Sequence, residues 1–341
     1  MADGVADGVA DGVADSAADG VDDSVADRPS PVRRRVATGL LVLAVTPLTV
    51  LTAMRVVGID GPWYTVAAIA LTPYASVLAL LLGGVALVLR RWWIGSIAFV
   101  LAVTLGSLVL PRLFSTAQPQ AHGQTLRVLA SNLYAGAGDP RTIVNLVRDN
   151  QVDVLTLVEL TPDAVAGLDR AGLFALLPNR LLHPARGAAG SGIVSRFPLA
   201  ELNLSGDSNA KEPSARLDLG GHGVQVVAAH PAAPTWDAGV WVAETKDLPR
   251  ADPEQEPRIM AGDFNATLDH VVFRALLASG YHDSADEVGE SLTPTWPADA
   301  SAPPVTIDHV LVDNRIAVKA FHVLDVPGSD HRAVLSELVL P

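Results

Sequence analysis

Cysteine is absent from the 341 residues, so the chain has no disulfide, no thiolate metal site and no cysteine nucleophile. That absence is compatible with either side of a membrane and leaves the compartment open. Charge almost vanishes between Val36 and Leu110, which is where the positive mean hydropathy of +0.32 comes from. Aromatic residues are missing from positions 1–30. Basic charge is scarce in the C-terminal part, where 17 Lys/Arg from Arg112 onward stand against 28 Asp/Glu, a balance of −11 within a total of −13. Such a surface repels a polyanion on average, which speaks against a high-affinity nucleic-acid binder and leaves room only for a local basic groove.

What is present divides into three regions. Residues 1–32 repeat Ala-Asp-Gly-Val with small drift, a period too short for a solenoid unit. Gly, Asp and Ala without aromatics cannot bury enough surface to offset chain entropy, so a disordered acidic tail is expected there. A membrane domain over 33–111 follows, opening on Arg33-Arg34-Arg35 and holding three apolar stretches at about 36–54, 63–89 and 92–110. Each reaches the roughly 20 residues that carry a helix across a ~30 Å hydrocarbon core. They are apolar all round, without the polar stripe of a soluble helix. Trp63, Tyr64, Trp92 and Trp93 stand at stretch ends, as interface aromatics do, and Pro47 and Pro73 are tolerable inside membrane helices. Arg33–Arg35 and Arg90-Arg91 outnumber Arg55 and Arg112, so the tail and the Arg90-Arg91 turn are expected in the cytoplasm. Three crossings then place everything beyond Leu110 outside.

A polar linker over 112–125 leads to a pattern of strands and helices over 126–341. Buried strands are expected near 126–130, 152–158, 192–194, 224–228, 258–261, 305–312 and 333–339. Asp139-Pro140 caps and starts a helix whose Ile143, Leu146 and Val147 share one face, with Asn150 as its stop. A second helix is expected over 269–279, with Phe273, Leu276 and Leu277 on one face and Gly280 beyond. Strands interspersed with few helices suggest two packed sheets with flanking helices.

The polar candidates sit at the ends of these apolar runs: Asn132, Glu159, His230, Asp263 with Asn265, Asp308, and Asp330 with His331. Strand ends are where a cleft between sheets gathers side chains. Two acids, an amide and an imidazole that converge are what metal-assisted attack on a phosphate ester needs: hard oxygens for a cation, a base for water, donors for phosphoryl oxygens.

In order, the motifs are Leu-Ala-Ser-Asn to Asn132, Thr-Leu-Val-Glu to Glu159, Gly-Ser-Gly-Ile-Val-Ser-Arg at 190–196 and Val-Ala-Ala-His to His230. Gly-Asp-Phe-Asn at 262–265, Ile-Asp-His-Val at 307–310 and Ser-Asp-His-Arg at 329–332 complete the set. This succession resembles the endonuclease/exonuclease/phosphatase superfamily of DNase I-like nucleases, inositol-phosphate phosphatases and neutral sphingomyelinases. The resemblance covers about 126–341. It implies a four-layer α/β sandwich, here preceded by three transmembrane helices, and a hydrolase that attacks a phosphate ester with water and Mg²⁺, or Mn²⁺. By the same resemblance Glu159 is the principal metal ligand, with Asp330 and Asn132 near the same ion. Asp263 orients or deprotonates the water, Asn265 holds it or a phosphoryl oxygen, His331 paired to Asp308 faces the phosphate, and His230 donates to its developing charge. Asp263 and His331 both stand as candidates for the base. His309 points the other way along the same strand and is expected to be structural.

Two departures bear on substrate. Val158 stands where a glutamine often precedes the metal-binding Glu, and no Tyr or Arg insertion of the kind that grips DNA is evident, Arg186 and Arg216 being the nearest residues. Trp296, in Thr293-Pro294-Thr295-Trp296-Pro297, occupies a place where family members vary their substrate loops. A bilayer-anchored phosphoesterase acting on a phospholipid-like headgroup is therefore the leading expectation. An extracytoplasmic nuclease, for which nucleic acid is a substrate only, and a non-catalytic membrane scaffold are the alternatives.

Overall fold

The computed structural model describes residues 31–206 and 208–341. The acidic repeat expected to be disordered lies, but for its last two residues, outside the described residues. By its contacts the chain divides into Met1–Leu40 and Leu41–Pro341. Of the first unit, residues 31–40 are helical, with Thr38 Oγ1 donating to the Arg34 carbonyl at 2.8 Å. Everything that follows concerns the second.

Four helices come first: α1 (Pro31–Val57), α2 (Trp63–Ala70), α3 (Thr72–Val88) and α4 (Trp92–Val109). α1, and α4 with the 3₁₀ turn that continues it to Leu113, are long and apolar enough to cross a membrane. Leu43, Val88, Trp93 and Val100 point outward uncovered, which suits lipid as the surrounding solvent. α3 and α4 meet through small residues, with Ala79, Ala86 and Ala98 fully buried and Gly83 facing Gly95, so the two backbones approach closely.

The middle apolar stretch, expected as one span over 63–89, is instead two helices that meet at 68°. Pro73 explains the break. It has no N–H for the Ile69 carbonyl, and Thr72 Oγ1 donates to that carbonyl instead, at 2.6 Å. Pro47 causes no such break and sits inside α1.

The remainder is the α/β sandwich. One six-stranded sheet has the order β11-β12-β1-β2-β4-β3, from β1 (Thr125–Asn132), β2 (Val154–Val158), β3 (Asn179–His183), β4 (Ser191–Ser195), β11 (Ala317–Leu324) and β12 (Ala333–Val339). The other has the order β5-β6-β7-β8-β10-β9, from β5 (Leu199–Leu202), β6 (Ser214–Asp218), β7 (Gly223–Ala229), β8 (Arg258–Asp263), β9 (Tyr281–Asp283) and β10 (Asp308–Asp313). Both are mixed: β1 runs parallel to β2 and β7 parallel to β8, while the other pairings are antiparallel. The sheets face each other across a core that includes Leu126, Val128, Val226, Ile259, Val310 and Val334, all fully buried.

Helices α5 (Pro140–Asp149), α6 (Pro162–Ala171) and α7 (Leu173–Leu176) cover the first sheet through Ile143, Val147, Leu168 and Leu173. The expected cap holds, since Asp139 accepts from the backbone N–H groups of Arg141 and Thr142. On the second sheet lie α8 (Ala238–Asp247) and α9 (Val271–Leu277), with the short α10 (Ser284–Glu287) after β9. α9 is shorter than the expected 269–279 because His270 is its N-cap residue and Asp269 is engaged elsewhere. The core under α8 and α9 includes Trp241, Phe264 and Phe273 and, from the apolar N-terminal region, Val66 of α2.

That last contact is one of a set. Asp60, between α1 and α2, accepts from the first two N–H groups of α9, Val271 at 2.8 Å and Val272 at 3.0 Å. Arg55 at the end of α1 and Arg112 after α4 both reach the buried Asp269, at 2.7 Å each. Burial opposes the Asp269 charge, but the two guanidiniums outweigh it and hold the carboxyl below its ordinary range. The segment expected as a linker is seated as well: Thr116 and Gln118 donate to Glu287, and Gln118 accepts from the Val318 N–H.

Candidate active site

Strand register brings the motifs together. Asp263 ends β8 directly opposite Asp308, the first residue of antiparallel β10. Asn132 ends β1 beside Val158 of β2, one residue before Glu159. His230 follows β7, and Asp330-His331 precede β12. The strands end at one rim of the sandwich, so all eight expected residues converge there. Glu159 and Asn265 have left-handed backbones with φ of +54° and +50°, a conformation that costs a non-glycine residue about 1–3 kcal/mol and clusters at working sites. Gly262 has φ +153°, and a Cβ there would strike the Ala229 carbonyl of β7, so Gly-Asp-Phe-Asn requires glycine at its first position.

The hydrogen bonds define roles. Asn132 Nδ2 donates to Glu159 Oε1 at 3.2 Å and Asp263 Oδ2 at 3.0 Å, while its Oδ1 accepts from the Tyr134 N–H at 2.9 Å. Asn132 thus turns its nitrogen, not its oxygen, to the acids, and ties two carboxylates together. Glu159 Oε2 accepts from the Ala135 N–H at 2.6 Å. Asp263 Oδ1 accepts from the Asn265 N–H at 2.8 Å, and Asn265 Nδ2 is held by the Pro231 carbonyl at 3.0 Å.

Asp308 Oδ2 accepts from His331 Nδ1 at 2.9 Å, and the other ring nitrogen lies 3.6 Å from Asp263 Oδ2 and 3.9 Å from Asp330 Oδ1. Burial alone would lower the His331 pKa. The charges of Asp308, Asp263 and Asp330 reverse that and raise it to about 10, so the ring is an imidazolium at neutral pH. Burial, joined by the nearby Asp308 charge, raises the Asp263 pKa against the opposing pull of His331 and His230. His230 Nε2 stands 3.9 Å from both Glu159 Oε1 and Asp263 Oδ2. His309 does point away, as expected: its ring bonds Asp283 at 2.6 Å and the Ala266 carbonyl at 2.9 Å within the core.

Two observations bear on a cation. Asp330 Oδ1 is buried without a hydrogen-bond partner, while its Oδ2 accepts from Trp296 Nε1 at 3.1 Å. An orphaned carboxylate oxygen in the cavity that Glu159 and Asp263 also line suits a hard divalent ion with oxygen ligands, so the donor set fits Mg²⁺ or Mn²⁺. Asp263, Asp308 and His331 also present ligand atoms within 4.8 Å of one another. Within that trio His331 Nδ1 is already bonded to Asp308, while its other nitrogen stands 3.6 Å from Asp263.

Trp296, which the sequence marks by its loop, orients Asp330. Other contributors carry no sequence signal of their own: Thr295 Oγ1 accepts from the N–H groups of Ile307 and Asp308. Glu212 accepts from the His230 N–H and Glu244 from the Ala232 N–H, which fixes the turn after β7. Burial lifts the Glu212 pKa to about 7. Of the two arginines nearest to a DNA grip, Arg216 is taken by Glu256 at 2.8 Å and Arg186 is exposed on a loop.

Comparison with known proteins bears on the fold and the family. Among solved structures, the chain is similar to an endonuclease/exonuclease/phosphatase from Beutenbergia cavernae DSM 12333, with 21% identity, TM-score 0.51, and 64% of this chain and 72% of that one covered. It is similar also to a D. rerio TDP2 humanized by 14 mutations, with 16% identity, TM-score 0.51, and 63% and 98% covered. At these identities the likeness is one of fold. No curated protein matches the chain. Residues 129–331, more than half of the chain and a range that contains the eight site residues, match the Endonuclease/Exonuclease/phosphatase family, and the chain belongs to that family of phosphoester hydrolases.

Proposed function

We propose that the chain is a membrane-anchored phosphoesterase, dependent on Mg²⁺ or Mn²⁺, that hydrolyses a phosphodiester or phosphomonoester outside the cytoplasmic membrane, with a lipid-borne phosphate favoured. The observation that carries the reading is the convergence of Glu159, Asp330, Asp263 and His331, with Asp308 bonded behind the ring, on one cavity of about 510 Å³. Glu159 and Asp330 are the residues that would hold the cation, which supplies charge neutralisation at the phosphoryl oxygens and acidifies a bound water.

The chain's own residues do the rest. His331, its Nδ1 held by Asp308 and its other nitrogen turned towards Asp263 and Asp330, serves as a cationic donor to the phosphate, and Asp263 takes the proton of the attacking water. Its raised proton affinity suits that task. The water oxygen bonds to phosphorus as the ester P–O bond breaks, and the departing oxygen is protonated from His331 or solvent. Asp308 fixes the ring and its charge, Asn132 holds Glu159 and Asp263 in place, and Asn265 and His230 aim at the phosphoryl oxygens.

Anchoring is supported by the two helices long enough to cross, and sidedness by the arginines. Arg55 and Arg112, the two on the proposed outer side, are outnumbered by Arg33–Arg35 with Arg90-Arg91, the group that the rule assigns to the cytoplasm. The nuclease reading is weakened by the −11 balance and by the pairing of Arg216 with Glu256. The scaffold reading is weakened by a site with no member missing. Purified full chain with Mg²⁺ should hydrolyse phospholipid or a generic phosphodiester well above DNA and inositol phosphates. DNA as the best substrate would overturn the lipid reading, and no hydrolysis of any of the four would overturn the enzyme. Protease added to cells stripped of any outer barrier should remove the domain and spare the tail; the converse would invert the topology.

A further inference from the structure

One wall of the catalytic cavity has no part in the chemistry above. Trp63, Val66, Ala67 and Ala70 of α2, with Ala233 and Trp236 beyond His230, line the same cavity as Glu159, Asp263 and His331. α2 is pinned there. Val66 is buried against the core under α8 and α9, and its carbonyl accepts from His270 Nε2 at 2.9 Å. His270 Nδ1 accepts from the Thr267 N–H at 2.8 Å, so Nε2 carries the proton and the ring is neutral, as its burial also requires. With Val66 turned inward, Ala67 stays exposed and Ala70 half-buried, two small side chains that leave room beside the site.

The mouth of this groove is aromatic. Trp63 is 55% exposed and Trp236 66%, although both are large and one begins an apolar helix. Such rings settle at the headgroup level of a bilayer, which sets the cavity mouth where lipid phosphates lie. A small polar ester needs no apolar wall, and a nucleic acid strand would need a basic one.

We infer that α2 is a substrate-binding element: the groove along Ala67 and Ala70 seats the proximal hydrocarbon of a lipid phosphate whose phosphate group lies at Asp263 and His331. The inference rests on the phosphoesterase reading for what happens to that phosphate. Moving a chain from bilayer to groove exchanges one apolar environment for another and costs little. A chain arriving from water gains up to about fourfold in affinity per seated methylene.

The test is photo-crosslinking of the full chain in nanodiscs with Mg²⁺, using a dodecyl phosphate that carries a diazirine at carbon 5. Adducts are expected on 63–70 and 232–236, and they should fall at least tenfold in Ala67→Trp, whose indole fills the groove. In the same preparation the unaltered chain should hydrolyse 4-nitrophenyl butyl phosphate, and circular dichroism should show Ala67→Trp folded. Ala70→Leu provides a milder filling if Ala67→Trp does not fold. Adducts confined to the outward faces of α1 and α4, or unchanged by both fillings, overturn the inference. Adducts at 63–70 without hydrolysis of the butyl ester would uphold the groove and sink the phosphoesterase reading instead.

Discussion

Asp308→Asn probes the Asp308–His331 pair most sharply. The carboxylate is 2% exposed, accepts the His331 Nδ1 proton at 2.9 Å, and is foremost among the charges that keep the ring protonated up to about 10. An amide of the same shape keeps the packing and removes the charge. The His331 pKa falls, because the foremost charge that holds the ring proton is gone, and the ring is neutral over more of the pH range. A positioned acid or base contributes about 10²–10⁴ in rate, so kcat is expected to drop by that factor, roughly 3–5 kcal/mol in the barrier. The assay is kcat for 4-nitrophenyl butyl phosphate with Mg²⁺ across pH 5–10, beside circular dichroism to show the fold intact. The alkaline limb should move to lower pH in the variant. Because the two residues act as a unit, Asp308→Asn in an His331→Ala background should cost almost nothing more. Wild-type kcat in the single variant, or fully additive losses in the double, would refute the reasoning.

Asp263→Ala should lower kcat by two or more orders of magnitude with the fold unchanged, and a wild-type rate would remove it as the base. His309 has both ring nitrogens on acceptors, so it is folded as an imidazolium; burial opposes the charge, but Asp283 raises its pKa above the usual value. Its stabilisation is therefore complete below the unfolded pKa of about 6.5 and is lost as pH rises through the raised folded value. Denaturation midpoints should fall on the alkaline side, and His309→Gln should cost about 3–5 kcal/mol at pH 6 by leaving Asp283 buried alone. Asp269→Asn strands Arg55 and Arg112 in a buried site, at a similar cost. Hydrogen exchange across 55–70 should accelerate in that variant, and unchanged exchange would show that the clasp does not hold α2.

The site was legible because its strands are buried on both faces. β1, β2, β7, β8 and β12 are mostly buried and mostly apolar, so the polar residues at or just past the ends of the first four, Asn132, Glu159, His230 and Asp263, stand out. β3, β5 and β6 were not legible, because each is an edge strand or its neighbour and carries mixed residues such as Asn-Arg-Leu-Leu-His. The break at Leu71 hinges on a proline that a membrane helix often tolerates, and only the Thr72 hydroxyl on Ile69 shows that it ends one helix here. Nothing local distinguishes Trp63–Ala70 from the rest of its apolar stretch. Its place in the catalytic cavity depends on Val66 meeting residues such as Trp241 and Phe264, far away in sequence. Trp296 on Asp330 and Asp283 on His309 are likewise long-range pairs that spacing does not encode.

The central claim is that Glu159 and Asp330 hold a divalent cation for phosphate-ester hydrolysis by Asp263 and His331. Its most direct test is the metal dependence of phosphate-ester hydrolysis by the purified full chain, stripped with chelator and then titrated with Mg²⁺ or Mn²⁺, alongside Glu159→Gln. The account predicts negligible turnover in the stripped protein, recovery on adding metal, and a Glu159→Gln variant that needs at least tenfold more metal for half its maximal rate. Full turnover after exhaustive metal removal, or wild-type metal dependence in Glu159→Gln, would contradict it.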